Sequence, residues 1–257
     1  MIEKRKIKKI DINRKANDEI VDFIAVDKPV NIFVNGDHFV TLIASPKNIR
    51  ELALGHLLGE GVITSADGIK RITVKGVKVT VQVANEIQPR KSAALKVIPT
   101  SCGTSEDLLV LLSSGATKTK SMAVFRAVDI SRAFKLLQLN AKVFRKSGGT
   151  HVAALFTQGG TLQFCMEDVG RHNAVDKVIG KGMLENVDFA KSFLVSTGRL
   201  SADIVVKCAR AKIPLVVSKA APLESGVLAG EMTGLTIVGF LRGTRLNVYT
   251  GFQRVKI

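Results

Sequence analysis

The feature that most constrains the fold is the alternation of helix-like and strand-like segments in the second half of the chain. An amphipathic pattern over residues 129–144 predicts a helix, and a hairpin that turns at Gly159 and Gly160 follows it. Helices and strands then alternate to about residue 250, with short runs of Val, Ile and Leu between amphipathic stretches. Such alternation builds layered α/β domains on a largely parallel or mixed sheet. The sequence therefore predicts an α/β domain over residues 119–257.

A smaller α+β domain is predicted for residues 1–118. Apolar runs flank the turns at residues 35–36 and 75–76, which indicates two hairpins. Between them, Ser45 as N-cap and the proline that follows it predict the start of a helix. Residues 113–121 are rich in Ser, Thr and Gly and form the strongest linker candidate, which places the domain boundary there.

Composition and sequence patterns indicate the cellular compartment of the protein. No stretch approaches the roughly 18 apolar residues that span a bilayer, so no membrane partner is expected. The basic N-terminus is not followed by the apolar segment of a secretory signal. The chain has 3 cysteines, an odd number that lie far apart, which is not typical of a disulfide framework. The sequence therefore predicts a reducing, cytoplasmic location.

The formal net charge of +16 leaves two interpretations open. A strong positive field favours nucleic acids, nucleotides or acidic proteins as partners. The alternative is a solvated surface over which lysines are spread. Proteins that bind bases usually stack them on aromatic side chains, and this chain has 12 Phe, 1 Tyr and 0 Trp with no cluster among them. Charge alone does not indicate a nucleic-acid-binding protein, and no nucleic-acid partner is expected.

Cys102 is the cysteine whose surroundings indicate chemistry. It stands in the stretch "PTSCGTSED", which has no apolar period, and Gly103 next to it lets a ligand approach the backbone. A helix is predicted to begin at about Ser105, and the positive end of its dipole would favour the thiolate. An inert loop thiol is the alternative. Cys165 and Cys208 fall in an apolar strand and on an apolar helix face, where core positions are expected.

A reactive thiolate could serve acyl transfer, metal binding or sulfur transfer. Acyl transfer needs a histidine base and an oxyanion hole, whose proximity a sequence cannot show. Metal binding needs ligands at close spacing, and the chain contains neither CxxC nor CxxxH, so no metal site is expected. A sulfur carrier needs only a reachable thiolate that can hold a persulfide. The residues around Cys102 fit sulfur transfer best.

A second candidate site lies where a strand is predicted to turn into a helix. Glu167 and Asp168 end the strand, Gly170 makes the turn, and Arg171 and His172 open the helix. Free backbone N–H groups at such a turn bind anions in α/β proteins. Next to these acids His172 could shuttle protons. The alternative is a helix cap surrounded by solvated charges.

Three more turns have the composition of ligand sites. Two glycines precede His151 at the start of a strand, a weak signal that a simple turn also explains. A second turn, at Gly198 and Arg199, joins a strand to a helix. A third turn, at residues 240–245, carries two arginines around a glycine, which suits a phosphate or pyrophosphate. Such turns are expected to converge on one crevice, although no Walker A or GxGxxG pattern is present. The residues of the last two turns are Gly198, Arg199, Phe240, Leu241, Arg242, Gly243, Thr244 and Arg245.

Four stretches resemble the formate dehydrogenase accessory protein family (FdhD), and the similarity runs from about residue 20 to the end of the chain. They are "ELALGHLLGEGVI" at 51–63, "EDVGRHNAVDKVIG" at 167–180, "GRLSADIVVKCA" at 198–209 and "GLTIVGFLRGTRLNVYT" at 234–250. The resemblance implies a cytoplasmic sulfur carrier. Such a protein takes persulfide sulfur from a cysteine desulfurase and passes it to molybdenum in the bis-molybdopterin guanine dinucleotide cofactor, which is then installed in formate dehydrogenase.

The resemblance also implies roles for particular residues. Cys102 matches the first cysteine of the family's CGxC loop, whereas Ser105 stands at the second position, so Cys102 must act without a partner thiol. Residues 240–245 match the family's stretch for the guanine dinucleotide, and GDP is the expected mimic of that ligand. The resemblance further implies a homodimer and a larger three-layer domain similar to the cytidine deaminase fold. The zinc ligands of a deaminase are missing, which excludes deamination.

Two other functions stay open. The chain could be a basic nucleotide-binding or RNA-binding module in which Cys102 plays no part. It could also be a chaperone that binds the cofactor for formate dehydrogenase without transferring sulfur.

Overall fold

The structure is a computed structural model that describes residues 1–84 and 118–257. The elements of the first part are β1 (Ile2–Asp11), β2 (Ala16–Ala25), β3 (Lys28–Val34), β4 (Asp37–Ala44), α1 (Ile49–Gly59), β5 (Ile69–Lys75) and β6 (Lys78–Val83). The second part begins with β7 (Phe125–Arg126), α2 (Ala127–Asn140), α3 (Phe144–Ser147), β8 (His151–Thr157), β9 (Leu162–Asp168), α4 (Arg171–Leu184) and β10 (Ser192–Ser196). It ends with α5 (Ala202–Arg210), β11 (Leu215–Ser218), α6 (Glu224–Thr233), β12 (Thr236–Arg242), β13 (Arg245–Thr250) and β14 (Val255–Lys256).

Both hairpins predicted in the first part are confirmed. β3 and β4 pair antiparallel around Asn35 and Gly36, whose φ angles of 51° and 103° suit a primed turn. β5 and β6 also pair antiparallel, and the four strands form a sheet in the order β4-β3-β6-β5. The predicted start of α1 is wrong, because its N-cap is Asn48 and not Ser45. The backbone N–H of Ser45 donates to the Asp168 carboxylate, and its hydroxyl accepts from the N–H of Val169.

The second part is built on a mixed six-stranded sheet, as predicted. Its order is β13-β12-β11-β10-β8-β9. β10, β11 and β12 are parallel neighbours, while β8 pairs antiparallel with both β10 and β9. The strands at its centre are buried on both faces, which explains their continuous runs of Val, Leu and Ile.

Helices cover both faces of this sheet and make three layers. The buried side chains of α2 pack with Val152, Ala154 and Val195 on one face. Those of α4 and α5 pack with the alternate strand residues on the other face. The helix predicted over residues 129–144 is divided into α2 and α3, because the Glu167 carboxylate accepts hydrogen bonds from the backbone at the start of α3.

Helix α1 packs closely on α4. A Cβ added to Gly55 would stand 1.8 Å from the carbonyl oxygen of Asp176, and one added to Gly180 would stand 1.9 Å from that of Glu51. Glycine at both positions lets the two backbones approach. Side chains from β3, β6 and α1 therefore share one buried cluster with α4 and α5, across the boundary predicted at residue 118.

A two-stranded ribbon of β1 and β2 precedes the four-stranded sheet. It contacts the second part at its base, where Ala25 lies against Gly149 and the Lys146 ammonium stands 5.6 Å from the centre of the Phe23 ring. Within residues 1–84 and 118–257, no helix combines the length and the apolar character that a membrane span requires.

Candidate functional site

One edge of the six-stranded sheet collects the turns that the sequence singles out. We call it the carboxyl edge, because β9, β10, β11 and β12 all end there, at Asp168, Ser196, Ser218 and Arg242. β8 runs the opposite way and begins there with His151, and β13 begins there too. These turns therefore share one edge of the sheet, and their convergence on one crevice stays a prediction. Ligands of open α/β sheets bind at such an edge.

Arg171 and Arg199 both stand at the carboxyl edge, where Arg171 packs on the residue before Arg199. Arg171 opens α4 behind its N-cap Gly170, and Arg199 stands in the loop between β10 and α5. The Arg171 side chain packs over Gly198, where an added Cβ would lie 2.8 Å from the Cβ of Arg171. Burial lowers the pKa of Arg171, the charge of Arg199 lowers it further, and Asp203 opposes both. The charges of these two guanidinium groups interact, and together they create a local positive field suited to an anion.

His172 joins the first turns of α4 and α5. Its Nε2 lies 3.3 Å from the hydroxyl oxygen of Ser201 and 4.0 Å from a carboxylate oxygen of Asp203. Burial lowers the pKa of His172 to about 4, and the nearby charges of Arg171 and Lys207 contribute. The imidazole is therefore neutral at pH 7. It is placed to hold the two helix starts together beside the arginines.

The predicted grouping of His172 with two acids is wrong, because both carboxylates point elsewhere. Glu167 accepts hydrogen bonds from the backbone N–H groups of Val143 and Phe144, at 2.9 and 2.7 Å, and from the Thr150 hydroxyl at 3.1 Å. It thereby fixes the segment between α2 and β8. These contacts occupy Glu167 at the start of α3.

Asp168 fastens the first part of the chain to the carboxyl edge. It accepts hydrogen bonds from the backbone N–H of Ser45 at 3.1 Å, from that of Gly170 at 2.9 Å and from the Asn173 amide at 3.0 Å. Lys177 forms a buried ion pair with it and also donates to the carbonyl oxygen of Ser45 at 3.0 Å. Burial lowers the pKa of Lys177, and Asp168 opposes that shift.

A buried charged network on three helices was not singled out from the sequence. Lys207 of α5 donates to both carboxylate oxygens of Asp176 of α4, at 2.7 and 2.8 Å, and His56 of α1 lies 3.3 Å from one of them. His56 is buried as well. Only an apolar helix face that includes charged residues could have indicated this network. It lies below the carboxyl edge and ties α1, α4 and α5 together.

The turn between β12 and β13 presents residues 240–245 at the same edge. Arg242 and Arg245 are direct cross-strand partners and both are exposed, as is Thr244. Phe240 has a φ of 51° and lies in a bulge, while Leu241 is buried under the turn. The carbonyl oxygen of Gly243 (φ 59°) accepts a hydrogen bond from the Ser131 hydroxyl at 2.7 Å. The pairing places two exposed arginines opposite each other at the turn.

A cavity of about 970 Å³ opens at the carboxyl edge beside α2 and α3. Residues that follow β9, β10 and β11 contribute to its lining, and so do the glycines before His151. The Nδ1 atom of His151 lies 3.3 Å from the hydroxyl oxygen of Thr197. Burial lowers the pKa of His151, the charge of Arg171 lowers it further, and Asp168 opposes them.

Cys102, Ser105 and the helix predicted after them lie outside the described residues. The other two thiols are poor nucleophiles. Burial raises the pKa of Cys165 to about 12 and that of Cys208 to about 12, so both are protonated at neutral pH. Cys208 is fully buried and Cys165 packs against the cluster on the α2 face, in agreement with the expected core positions.

These observations define a three-layer α/β protein whose positively charged carboxyl edge adjoins a large cavity, a class suited to anionic ligands. The chain belongs to the FdhD/NarQ family, whose model matches residues 25–256. The resemblance noted from the sequence is thereby confirmed.

Curated relatives cover nearly the whole chain. The sulfur carrier protein FdhD of Methanothermobacter thermautotrophicus is 37% identical over 247 residues, which are 95% of this chain and 94% of the relative. The sulfur carrier protein FdhD of Saccharolobus solfataricus is 36% identical over 264 residues, with 97% and 98% covered. A crystal structure from Desulfotalea psychrophila, described as a formate dehydrogenase accessory protein, superposes with a TM-score of 0.82 at 26% identity and covers 99% of both chains.

Proposed function

We propose that this protein is a cytoplasmic sulfur carrier that supports the maturation of formate dehydrogenase. Its family and the names of its curated relatives support this role. The observation that carries the assignment of the thiol is the packing of two of the 3 cysteines: Cys208 is fully buried and Cys165 packs against the cluster on the α2 face. Burial raises the pKa of each to about 12. Cys102 is then the cysteine left to hold a persulfide.

The transfer chemistry needs one thiolate. The Cys102 thiolate attacks the outer sulfur of a cysteine desulfurase persulfide, an S–S bond forms on Cys102, and the desulfurase thiolate leaves. This exchange consumes no electrons. Delivery of the outer sulfur as sulfide breaks the new S–S bond and takes two electrons from a thiol reductant, which restores the Cys102 thiol. Because Ser105 cannot form a disulfide, that reductant comes from outside this loop.

The cargo that receives the sulfur is the bis-molybdopterin guanine dinucleotide cofactor. Its phosphates carry the charge that Arg242 and Arg245 would bind on one side of the carboxyl edge and Arg171 and Arg199 on the other. GDP is the mimic of its nucleotide end. A homodimer and a likeness of the larger domain to the cytidine deaminase fold, both implied by the family resemblance, complete the proposal.

Intact-mass spectrometry after incubation with a desulfurase and cysteine tests the proposal. The protein is expected to gain about 32 Da, the mass of one sulfur atom in a persulfide. Cys102→Ala should abolish the adduct, whereas Cys165→Ala, the matched control, should keep it. An adduct that survives in Cys102→Ala, or none in the unaltered protein, would overturn the assignment. Restoration of formate dehydrogenase by Cys102→Ser would instead indicate a chaperone that transfers no sulfur.

A further inference from the structure

The cavity at the carboxyl edge has the composition of a site for a flat organic anion. Its walls include two aromatic rings, Phe134 and Phe144, together with the aliphatic side chains of Leu137 and Val152. Its volume of about 970 Å³ falls at the upper end of the range usual for small-molecule sites. Gly148 places bare backbone on one side, where an added Cβ would meet nothing within 4 Å, so a planar ring could lie against the chain there.

Charged and polar groups stand at particular points of this apolar lining. Lys135, Arg145 and Lys219 contribute cations, each from a different segment. His151 and Thr197 bring an imidazole and a hydroxyl, which lie 3.3 Å apart. No Asp or Glu occurs among the described residues that line the cavity. A neutral or anionic ring system would therefore be favoured over a cation.

The arginine pair adjoins the cavity lining at His151 and Thr197. His151 is close enough to Arg171 for the guanidinium to perturb its titration, and Thr197 directly precedes Gly198, on which Arg171 packs. A ligand could thus place a ring in the cavity while an attached phosphate reaches Arg171 and Arg199. The two subsites together suit a molecule with a flat heterocycle at one end and phosphates at the other.

We propose that this cavity binds the pterin end of the cargo, with His151 as the hydrogen-bonding group that recognises the ring. This inference rests on the proposed function, because it divides the same ligand between two subsites. The Arg242 and Arg245 turn takes the nucleotide end, and the cavity takes the heterocycle. The imidazole of His151 can donate or accept a hydrogen bond with ring nitrogens or the ring carbonyl.

Fluorescence anisotropy of 6-carboxypterin, a planar heterocycle with one carboxylate, tests the cavity separately from nucleotide binding. The protein has 0 Trp, and the pterin absorbs beyond the range of protein aromatics, so its emission can be followed directly. His151→Ala removes the proposed hydrogen bond and should weaken pterin binding by about fivefold to tenfold. Gln138→Trp, at an exposed position on the cavity lining, should obstruct the cavity and weaken it at least as much.

The controls use the same substitutions outside the cavity. His38→Ala and Gln82→Trp alter exposed residues that do not line it and should leave pterin affinity within about twofold. GDP binding, measured on each protein, should not change in the two cavity variants. The cavity proposal alone is overturned if pterin affinity is unchanged in both cavity variants. It is also overturned if the unaltered protein binds GDP but not the pterin. If the unaltered protein neither bound GDP nor gained the sulfur adduct, the proposed function would be refuted instead.

Discussion

The buried ion pair between Lys207 and Asp176 offers a direct test of how the helices below the carboxyl edge are held together. Both side chains are almost fully buried, at 7% and 1% exposure. Lys207→Met keeps a long side chain in place but removes its ammonium group, which donates to both oxygens of the carboxylate. The carboxylate of Asp176 would then stay buried, with His56 as its remaining partner in the network.

The expected loss is large and depends on pH. Removing one partner of a buried ion pair costs about 3–5 kcal/mol of unfolding free energy. Burial alone would raise the pKa of Asp176, but Lys207 and His56 together lower it. A lowered folded-state pKa stabilises the protein above the unfolded value, and this stabilisation is lost as the pH falls through the folded value. In Lys207→Met the pKa of Asp176 should instead be raised. The loss of unfolding free energy is then full at pH 7 and diminishes as the Asp176 carboxyl becomes protonated towards about pH 4.

Urea unfolding followed by circular dichroism, at about pH 7 and about pH 4.5, measures both effects. Asp176→Asn combined with Lys207→Met should recover much of the loss, because a neutral amide needs no counterion. Lys191→Met serves as the control, since Lys191 pairs with Asp188 on the surface, where such pairs contribute at most about 1 kcal/mol. A loss below about 1 kcal/mol in Lys207→Met, or one that stays constant in acid, would refute this account of the network.

Gly180→Ala should lower the unfolding free energy by at least about 2 kcal/mol, because the added methyl would stand 1.9 Å from a backbone oxygen of α1. Urea unfolding measures this against Gly68→Ala, whose methyl meets nothing within 4 Å; equal stability of the two variants would contradict the close packing of α1 on α4. Arg242→Ala and Arg245→Ala should each weaken GDP binding by about tenfold, as loss of a charge-assisted hydrogen bond predicts. Calorimetry at fixed salt tests this, with Arg132→Ala as the control of equal charge, and three identical affinities would argue against a phosphate site at the β12–β13 turn.

The order of elements could be predicted from the sequence because local patterns determine it. Turns at residues 35–36 and 159–160 need backbone conformations that Asn and Gly favour, and both hairpins are present. The convergence of the loops at the carboxyl edge follows from the alternation of strands and helices. What these predictions share is their dependence on sequence neighbours.

Errors arose where distant residues decide local structure. Ser45 has the chemistry of an N-cap, yet the loop after β9 uses both its hydroxyl and its N–H, so α1 begins later. Similarly, the amphipathic pattern continues past Asn140, but Glu167 binds the backbone of residues 143 and 144 and starts a separate helix. Neither partner lies within the same sequence segment. No periodicity argument could have included them.

The contacts of Glu167 and Asp168 bear on the proposal that the carboxyl edge holds phosphates. Had Glu167 and Asp168 faced His172, their charges would have opposed an anion at the start of α4. Glu167 is instead occupied by backbone N–H groups beside the cavity, and Asp168 by Lys177 and the backbone of the first part. The same contacts shape one wall of the cavity and attach the first part of the chain to the edge. Glu167 and Asp168 therefore shape the carboxyl edge, and hydrogen bonds and an ion pair within the protein occupy their carboxylates.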